Sequence, residues 1–566
     1  MEKFKDIAYV RPDFPALGKA VAQLTEEVKK VSSADELYEK IKALGKIGGE
    51  AETMATVAYI RSTVDSNDEF YEAEIKYINS EEPKLIPAML AYKKAVLDSP
   101  YRDEVEKRIG RQYFRDLENE VRLQDERLVE DLVRESDLRN EYSKLIAGCK
   151  TDYRGVECNF YGLLKFMEDP DREIRRGAFL EWARLYEEAA PELNRIYDEL
   201  VALRVGMAKK MGYDSYIDYR YLERGRYDYT KKDVAAFRDQ VRDVVVPVCE
   251  KLIEEQRKSI GVDKMRFYDE QYIFPDGNAE PKGSVDELIA AAQAMYRELS
   301  PETGEFFDFM VKYELYDLLS TPGKRQGGYC TMLASLKAPF IFSNFNGTTA
   351  DAEVLTHEAG HAFEAYTASR IQELDEYIGS VSEINEIHSM SMEFFTYPWM
   401  DKFFAEDTPK YLYSHLRGTL LTIPYLVAVD EYQHLVFEKP DMTAEERYEA
   451  WRVTEKKYLP WRDYDGNEFL EKGGFWMQKL HIFLYPFYYI EYALSEICAL
   501  QYYGRMQKDR KAAWEDYLAL CRAGGSKGYF ELLKIGNLKS PFAPGTVEEA
   551  IAPAVETLKK GLRTEG

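Results

Sequence analysis

The stretch Val354-Leu355-Thr356-His357-Glu358-Ala359-Gly360-His361-Ala362-Phe363-Glu364-Ala365-Tyr366 repeats apolar residues at helical spacing and carries an HExxH pentapeptide inside that repeat. In an α-helix, positions four apart lie on one face, so His357 and His361 can offer imidazole nitrogens to a single metal ion. Glu358 flanks that face. It is too close in sequence to be a further ligand from the same turn, yet it can reach a water beside the ion and take its proton. The chain holds only 6 His among 566 residues, so a pentapeptide that uses two of them is seldom produced by composition alone.

The flanks read as a helix. Asn346-Gly347 is a turn signal, and Thr348-Thr349-Ala350-Asp351 has the Ser/Thr-x-x-Asp/Glu pattern that opens helices, just ahead of Val354, Leu355, Ala359, Ala362, Phe363 and Tyr366. No proline falls between about 351 and 370, which predicts a helix over that span. Gly360 is its weak point, costing about 1 kcal/mol against alanine, so close packing against another element is expected there.

A catalytic zinc takes three protein ligands and leaves a fourth position open. Glu383, Glu386, His388 and Glu393 are the downstream candidates, in a segment of residues 380–397 that itself reads as a helix. Glu386 and Glu393 are two turns apart and share a face, while Glu383 lies one turn earlier on a similar face. Helical geometry leaves both Glu383 and Glu386 open as the third ligand.

The run HEAGHAFEAY, His357 to Tyr366, followed by Glu386-Ile387-His388-Ser389-Met390-Ser391-Met392-Glu393, resembles the zinc peptidases of the thimet oligopeptidase and oligoendopeptidase F family. That family carries its glutamate ligand in an ExxSxxxE string at this distance. The resemblance makes Glu386 the third ligand and Glu393 an acid that holds a ligand histidine in its tautomer. Gly327-Gly328-Tyr329-Cys330-Thr331 and the run Pro339 to Gly347 are similar to the segment leading into the family's metal helix. By propensity they read as two short strands, whose edge could pair with an extended peptide.

Further on, His481-Ile482-Phe483-Leu484-Tyr485-Pro486-Phe487-Tyr488-Tyr489-Ile490-Glu491-Tyr492 looks like the family segment in which a His and several Tyr donate hydrogen bonds to the tetrahedral intermediate. Pro486 suits a first helical turn, which places His481 in the approach and Tyr488 and Tyr492 one turn apart on a helix. His481, Tyr488 and Tyr492 are therefore the candidates, with Tyr485 and Tyr489 behind them. Residues 523–534 resemble the family's closing segment, and 169–176 its loop-to-helix join. The similarity spans about 150 to 545.

The resemblance implies a mainly α, two-lobed, zincin-like metallopeptidase with a small β-sheet beside the metal helix and a deep central channel that admits only short unfolded peptides. It also implies one zinc ion per chain, held by His357, His361 and Glu386, with Glu358 as the general base. Long amphipathic runs from residue 14 onward, punctuated at Ser33-Ala34-Asp35-Glu36, Glu82-Pro83 and Ser99-Pro100, predict an N-terminal helical lobe over 1–200 and a catalytic lobe over 201–566. The expected activity is hydrolysis of internal bonds in oligopeptides. The alternatives are a metallocarboxypeptidase and a catalytically silent, peptide-binding zinc protein.

Composition narrows the classes. With 45% hydrophobic and 31% charged residues, the chain can bury a large core. A net charge of -25 argues against nucleic acid, whose phosphates are bound by an excess of Lys and Arg. The opening residues lack a signal-peptide pattern, and the apolar stretch 480–500 contains His481, Glu491 and Glu496. The expectation is a cytoplasmic protein without a membrane span. Cys149, Cys158, Cys249, Cys330, Cys498 and Cys521 are scattered without a CxxC and read as reduced thiols.

Overall fold

Capping residues and helix breakers set most of the secondary structure. Ser33 opens the helix Ala34–Val64 by accepting from the Glu36 amide, while the Glu36 carboxylate reaches one residue further back, to the Ser32 amide at 2.7 Å. Glu82-Pro83 forms a short 3₁₀ turn between Glu69–Glu81 and Ile86–Leu97, and the latter stops before Ser99-Pro100. The periodic stretch 105–147 becomes three helices, Arg102–Ile109, Arg111–Leu123 and Val129–Gly148. The first break falls at Gly110, whose φ of 97° no helix accommodates. Asp171 caps the long helix Arg172–Lys210. The chain is mainly α.

A computed structural model describes residues 1–561 of the chain. It divides into two compact units, each assembled from three stretches: Met1–Gln124, Glu280–Thr408 and Cys498–Lys539 in the first; Asp125–Ala279, Pro409–Ile497 and Ser540 onward in the second. The boundary expected near residue 200 falls inside the helix Arg172–Lys210, and the first unit takes only the first 124 residues of the N-terminal helices. The reason lies in what those helices bury. Val21, Leu24, Leu37, Ile41, Tyr92, Tyr113 and Phe114 form one apolar cluster with Leu374 and Tyr377 from the loop that follows the HExxH helix. The Tyr377 hydroxyl also accepts from the Tyr113 amide at 3.2 Å and donates to the Ile109 carbonyl at 2.9 Å.

The first unit contains a three-stranded sheet in the order Tyr316–Leu319, Ala338–Phe345, Tyr329–Leu333. Tyr329–Leu333 pairs antiparallel with Ala338–Phe345, as the two expected strands require. The third strand, Tyr316–Leu319, runs parallel on the other side and was not legible in the sequence. Ala338–Phe345 is buried almost throughout, which is why it reads as a continuous apolar run without alternation. It feeds directly into the helix Ala350–Ile371.

In the second unit, Arg172–Lys210 presents Leu193, Ile196, Tyr197 and Leu200 to the interior. Tyr197 packs on Trp476 and Phe483, with ring centroids 4.9 and 5.2 Å away. Near the start of this helix, Arg172 and Arg175 both bind the buried Asp269 carboxylate, at 2.8 and 2.9 Å, so the 169–176 segment is a structural join. Among the described residues no helix is long and apolar enough to cross a membrane, and none of the six cysteines is bridged.

Candidate active site

The HExxH helix spans Ala350–Ile371 and is followed by the helix Ser382–Phe395. The first begins differently from the Thr348–Asp351 capping pattern expected: Thr348 gives its hydroxyl to Asn346 Oδ1 at 2.7 Å, and Thr349, at the helix start, makes no side-chain cap. Instead the Asp351 carboxylate turns back to accept from the Asn346 and Gly347 amides, at 2.9 and 2.8 Å, tying the strand exit to the first helical turn. Gly360 is where the two helices meet. A Cβ there would lie 2.6 Å from the His388 carbonyl oxygen and 2.6 Å from the Ser389 Cα, so the absence of a side chain sets how near the second helix can come.

That approach brings His357, His361 and Glu386 together, with one ligand atom from each lying within 4.8 Å of the others. His357 Nε2 and His361 Nε2 are each 3.4 Å from Glu386 Oε2. Four donors about 2.1 Å from one cation in a tetrahedron are separated by about 3.4 Å, so these spacings suit a zinc-sized ion, as does the set of two nitrogens and one carboxylate oxygen. Glu383, which helical spacing left open, does not belong to this group.

Supporting groups surround the three. Glu393 Oε1 accepts from His357 Nδ1 at 2.6 Å, leaving Nε2 to face Glu386. Ser389 Oγ lies 2.9 Å from Glu386 Oε2 and 3.0 Å from its carbonyl oxygen. Burial works against the charge on Glu386, but the imidazoles of His361 and His357 overcome it and hold the carboxyl well below its usual range. Burial likewise opposes a charged His357, and Glu386 and Glu393 reverse that, holding it well above an ordinary histidine. Both shifts have one cause, the negative charge of Glu386 and Glu393 facing the imidazoles, and that charge favours a cation between them.

Glu358 is buried beside them. Burial raises its carboxyl above the ordinary value, the two imidazoles pull it down, and Glu386 and Glu393 push it up again. The glycine string borders this group: a Cβ on Gly328 would sit 3.3 Å from Glu358 Oε1 and 2.9 Å from Val354 Cγ1.

The closing segment, whose sequence carried no stated role, positions the second helix. Gly525 donates its amide to the Tyr377 carbonyl at 3.0 Å, and Gly524 and Gly525 lie so close to the Tyr377 and Gly379 carbonyls that a Cβ on either would approach to 2.1 or 2.0 Å. Tyr517 Oη donates to the His388 carbonyl at 2.9 Å, and Cys521 Sγ lies 3.4 Å from His388 Nδ1. Sequence reasoning missed Tyr517 and Cys521, because nothing in their local pattern distinguishes them from core residues.

His481, Tyr488 and Tyr492 belong to the second unit and cluster there. His481 and Tyr488 stack with centroids 5.7 Å apart and planes within 4°, and Tyr492 meets Tyr488 edge-on at 5.0 Å. All three are half-buried. Tyr489 is buried against Tyr425, and Tyr485 is exposed near Arg139. The local structure corrects one expectation. His481 occupies a short helix of its own, Leu480–Leu484. Pro486 lies in the turn after it and not in a first helical turn, and Tyr488 precedes the helix that starts at Tyr489. Phe487, at φ 61°, makes the reversal.

A helical chain that packs an HExxH helix against an ExxSxxxE helix is a metallopeptidase of the zincin class. Residues 165–545 match peptidase family M3 and residues 4–124 the peptidase M3 N-terminal domain, and the chain belongs to that family. Among solved structures, PZ peptidase A with inhibitor 2 is 45% identical, with a TM-score of 0.94 and 99% of both chains covered. A structure named oligoendopeptidase F, from Bacillus anthracis str. Ames, is 41% identical at a TM-score of 0.89, covering 99% of this chain and 98% of that one. Oligopeptidase PepF of Bacillus subtilis (strain 168) is 21% identical over 562 residues, which is 92% of this chain and 80% of the relative.

Proposed function

We propose that the chain cleaves internal bonds of short, unfolded peptides with the help of one zinc ion held by His357, His361 and Glu386. The observation that carries this reading is the convergence of two imidazole nitrogens and one carboxylate oxygen to within 4.8 Å of one another. Zinc is the metal on which the family generally depends. When bound, it would lower the pKa of a water toward neutrality and polarise the scissile carbonyl.

The side chains divide the remaining work. Glu358 takes a proton from the attacking water as oxygen bonds to the carbonyl carbon, then gives that proton to the departing amine as the C–N bond breaks. Its burial favours the proton-bearing form and suits it to the second half of that cycle. Glu393 keeps the His357 proton on Nδ1. His481, Tyr488 and Tyr492 donate hydrogen bonds to the carbonyl oxygen as it gains negative charge. Resemblance supports that role, together with their half-buried, mutually packed rings.

The test is a product map of one mid-length peptide blocked at both ends, with and without chelator. Internal cleavage that chelator abolishes and zinc restores is the expected result. Release of single residues from the C-terminal end of an unblocked peptide, with no internal cleavage, would establish a carboxypeptidase. Chelator-resistant cleavage would overturn the metal assignment.

A further inference from the structure

The chain leaves the helix Tyr216–Glu223 through Arg224-Gly225-Arg226, where Gly225 at φ 69° lets the two flanking arginines turn toward one target. That target is Glu491, fully buried, one residue before Tyr492 and three after Tyr488. Arg224 Nε pairs with Glu491 Oε1 and Arg224 Nη2 with Oε2, the two-pronged geometry that fixes a guanidinium in orientation as well as position. Arg226 Nη2 binds Glu491 Oε1 at 2.9 Å and also donates to the Phe487 carbonyl. Held in this way, the Arg224 guanidinium lies over the Tyr488 ring, its Cζ 4.7 Å from the centroid.

These contacts differ in kind from the structural ties around them. Arg226 is buried between Tyr221 and the carboxylate and clamps backbone. Arg220 Nε, at 3.3 Å from the Pro486 carbonyl, and Gln433 Oε1, accepting from the Phe487 amide at 3.0 Å, secure the turn. Arg224 instead carries its charge onto the face of a half-buried tyrosine. A cation over an aromatic face withdraws electron density, and on a phenol that makes the hydroxyl a stronger hydrogen-bond donor.

We propose that Arg224 is a positioning residue for Tyr488: fixed by Glu491, its guanidinium seats the ring and strengthens the hydroxyl as a donor to the carbonyl oxygen that gains charge during peptide hydrolysis. This rests on the reading of Tyr488 as such a donor. An Arg224→Lys variant keeps the charge and loses the fork, while Arg224→Met keeps the length and loses both.

The experiment measures kcat, KM, bound zinc and melting midpoint for Arg224→Lys, Arg224→Met, Tyr488→Phe and the double variant Arg224→Met/Tyr488→Phe. Losing one oxyanion donor costs about 100-fold or more in kcat. Arg224→Met should therefore lose about 10-fold in kcat, since the donor is weakened and not removed, with KM and zinc content nearly unchanged and Arg224→Lys lying between it and the parent. The double variant should be no slower than Tyr488→Phe alone, because Arg224 acts through the missing hydroxyl. Losses that multiply in the double variant overturn the proposal, as do normal rates in both single Arg224 variants beside an impaired Tyr488→Phe. A fully active Tyr488→Phe overturns the donor role itself and takes the role of Arg224 with it.

Discussion

At the scale of single residues, the proposed function separates groups that would hold a cation from groups that would move protons. It assigns Glu358 to the second kind, and replacing that residue tests the separation. Glu358→Gln should keep its zinc, measured by metal analysis, and lose about 100- to 10,000-fold in kcat, the range for a general acid–base group. Full activity in that variant would end its role. Glu393 accepts from the far nitrogen of His357, at 2.6 Å. Glu393→Gln should weaken zinc about 10- to 100-fold in a chelator competition. Unchanged affinity would reduce Glu393 to an ordinary buried carboxylate.

At the scale of elements, the spacing between the two site helices is set by an absent side chain. A methyl group at Gly360 meets backbone of the Ser382–Phe395 helix at 2.6 Å, and backbone cannot swing aside as a flexible side chain can. Gly360→Ala should therefore cost about 3 kcal/mol in urea unfolding, at the upper end for overpacking, and should weaken zinc as Glu386 is pushed from the imidazoles. Gly206 supplies the control. It lies inside the helix Arg172–Lys210 with nothing within 4 Å of an added Cβ. Gly206→Ala should stabilise by about 0.5 to 1 kcal/mol. Equal effects of the two substitutions would mean that helix propensity, and not close packing, governs Gly360.

At the scale of the whole molecule, buried histidine links stability to pH. His434 is held in the second unit between Tyr221, whose hydroxyl lies 3.1 Å from its Nε2, and the Phe487 ring at 5.0 Å. Burial lowers its pKa to about 4; Asp430 opposes the shift, and Arg238, Arg226 and Lys231 add to it. The unfolded chain binds this proton near pH 6.5 and the folded chain only near 4. Stability from the neutral imidazole is therefore complete above about 6.5 and is lost as the pH falls toward 4, at up to about 1.4 kcal/mol per pH unit. The melting midpoint should fall through that window, and His434→Gln should flatten the slope. An unaltered slope would assign it to other groups.

What could be read from the amino-acid order was local or one helical turn in range. The HExxH face, the Glu386 and Glu393 face, the strand run 339–347 and the capped helix starts all follow from periods of 3.6 and 2.0 and from residues that stop or start them. The resemblance chose Glu386 over Glu383, which spacing alone had left open. Only the tertiary structure showed that Asp351 ties back to Asn346 and Gly347, that His481 sits on its own short helix, and that Gly524 and Gly525 brace the segment before the Glu386 helix. It also brought Arg224 to Tyr488, and it joined the first 124 residues to stretches hundreds of positions away. These are pairings between distant segments, decided by which apolar faces and buried charges find partners, and no short window of sequence carries that information.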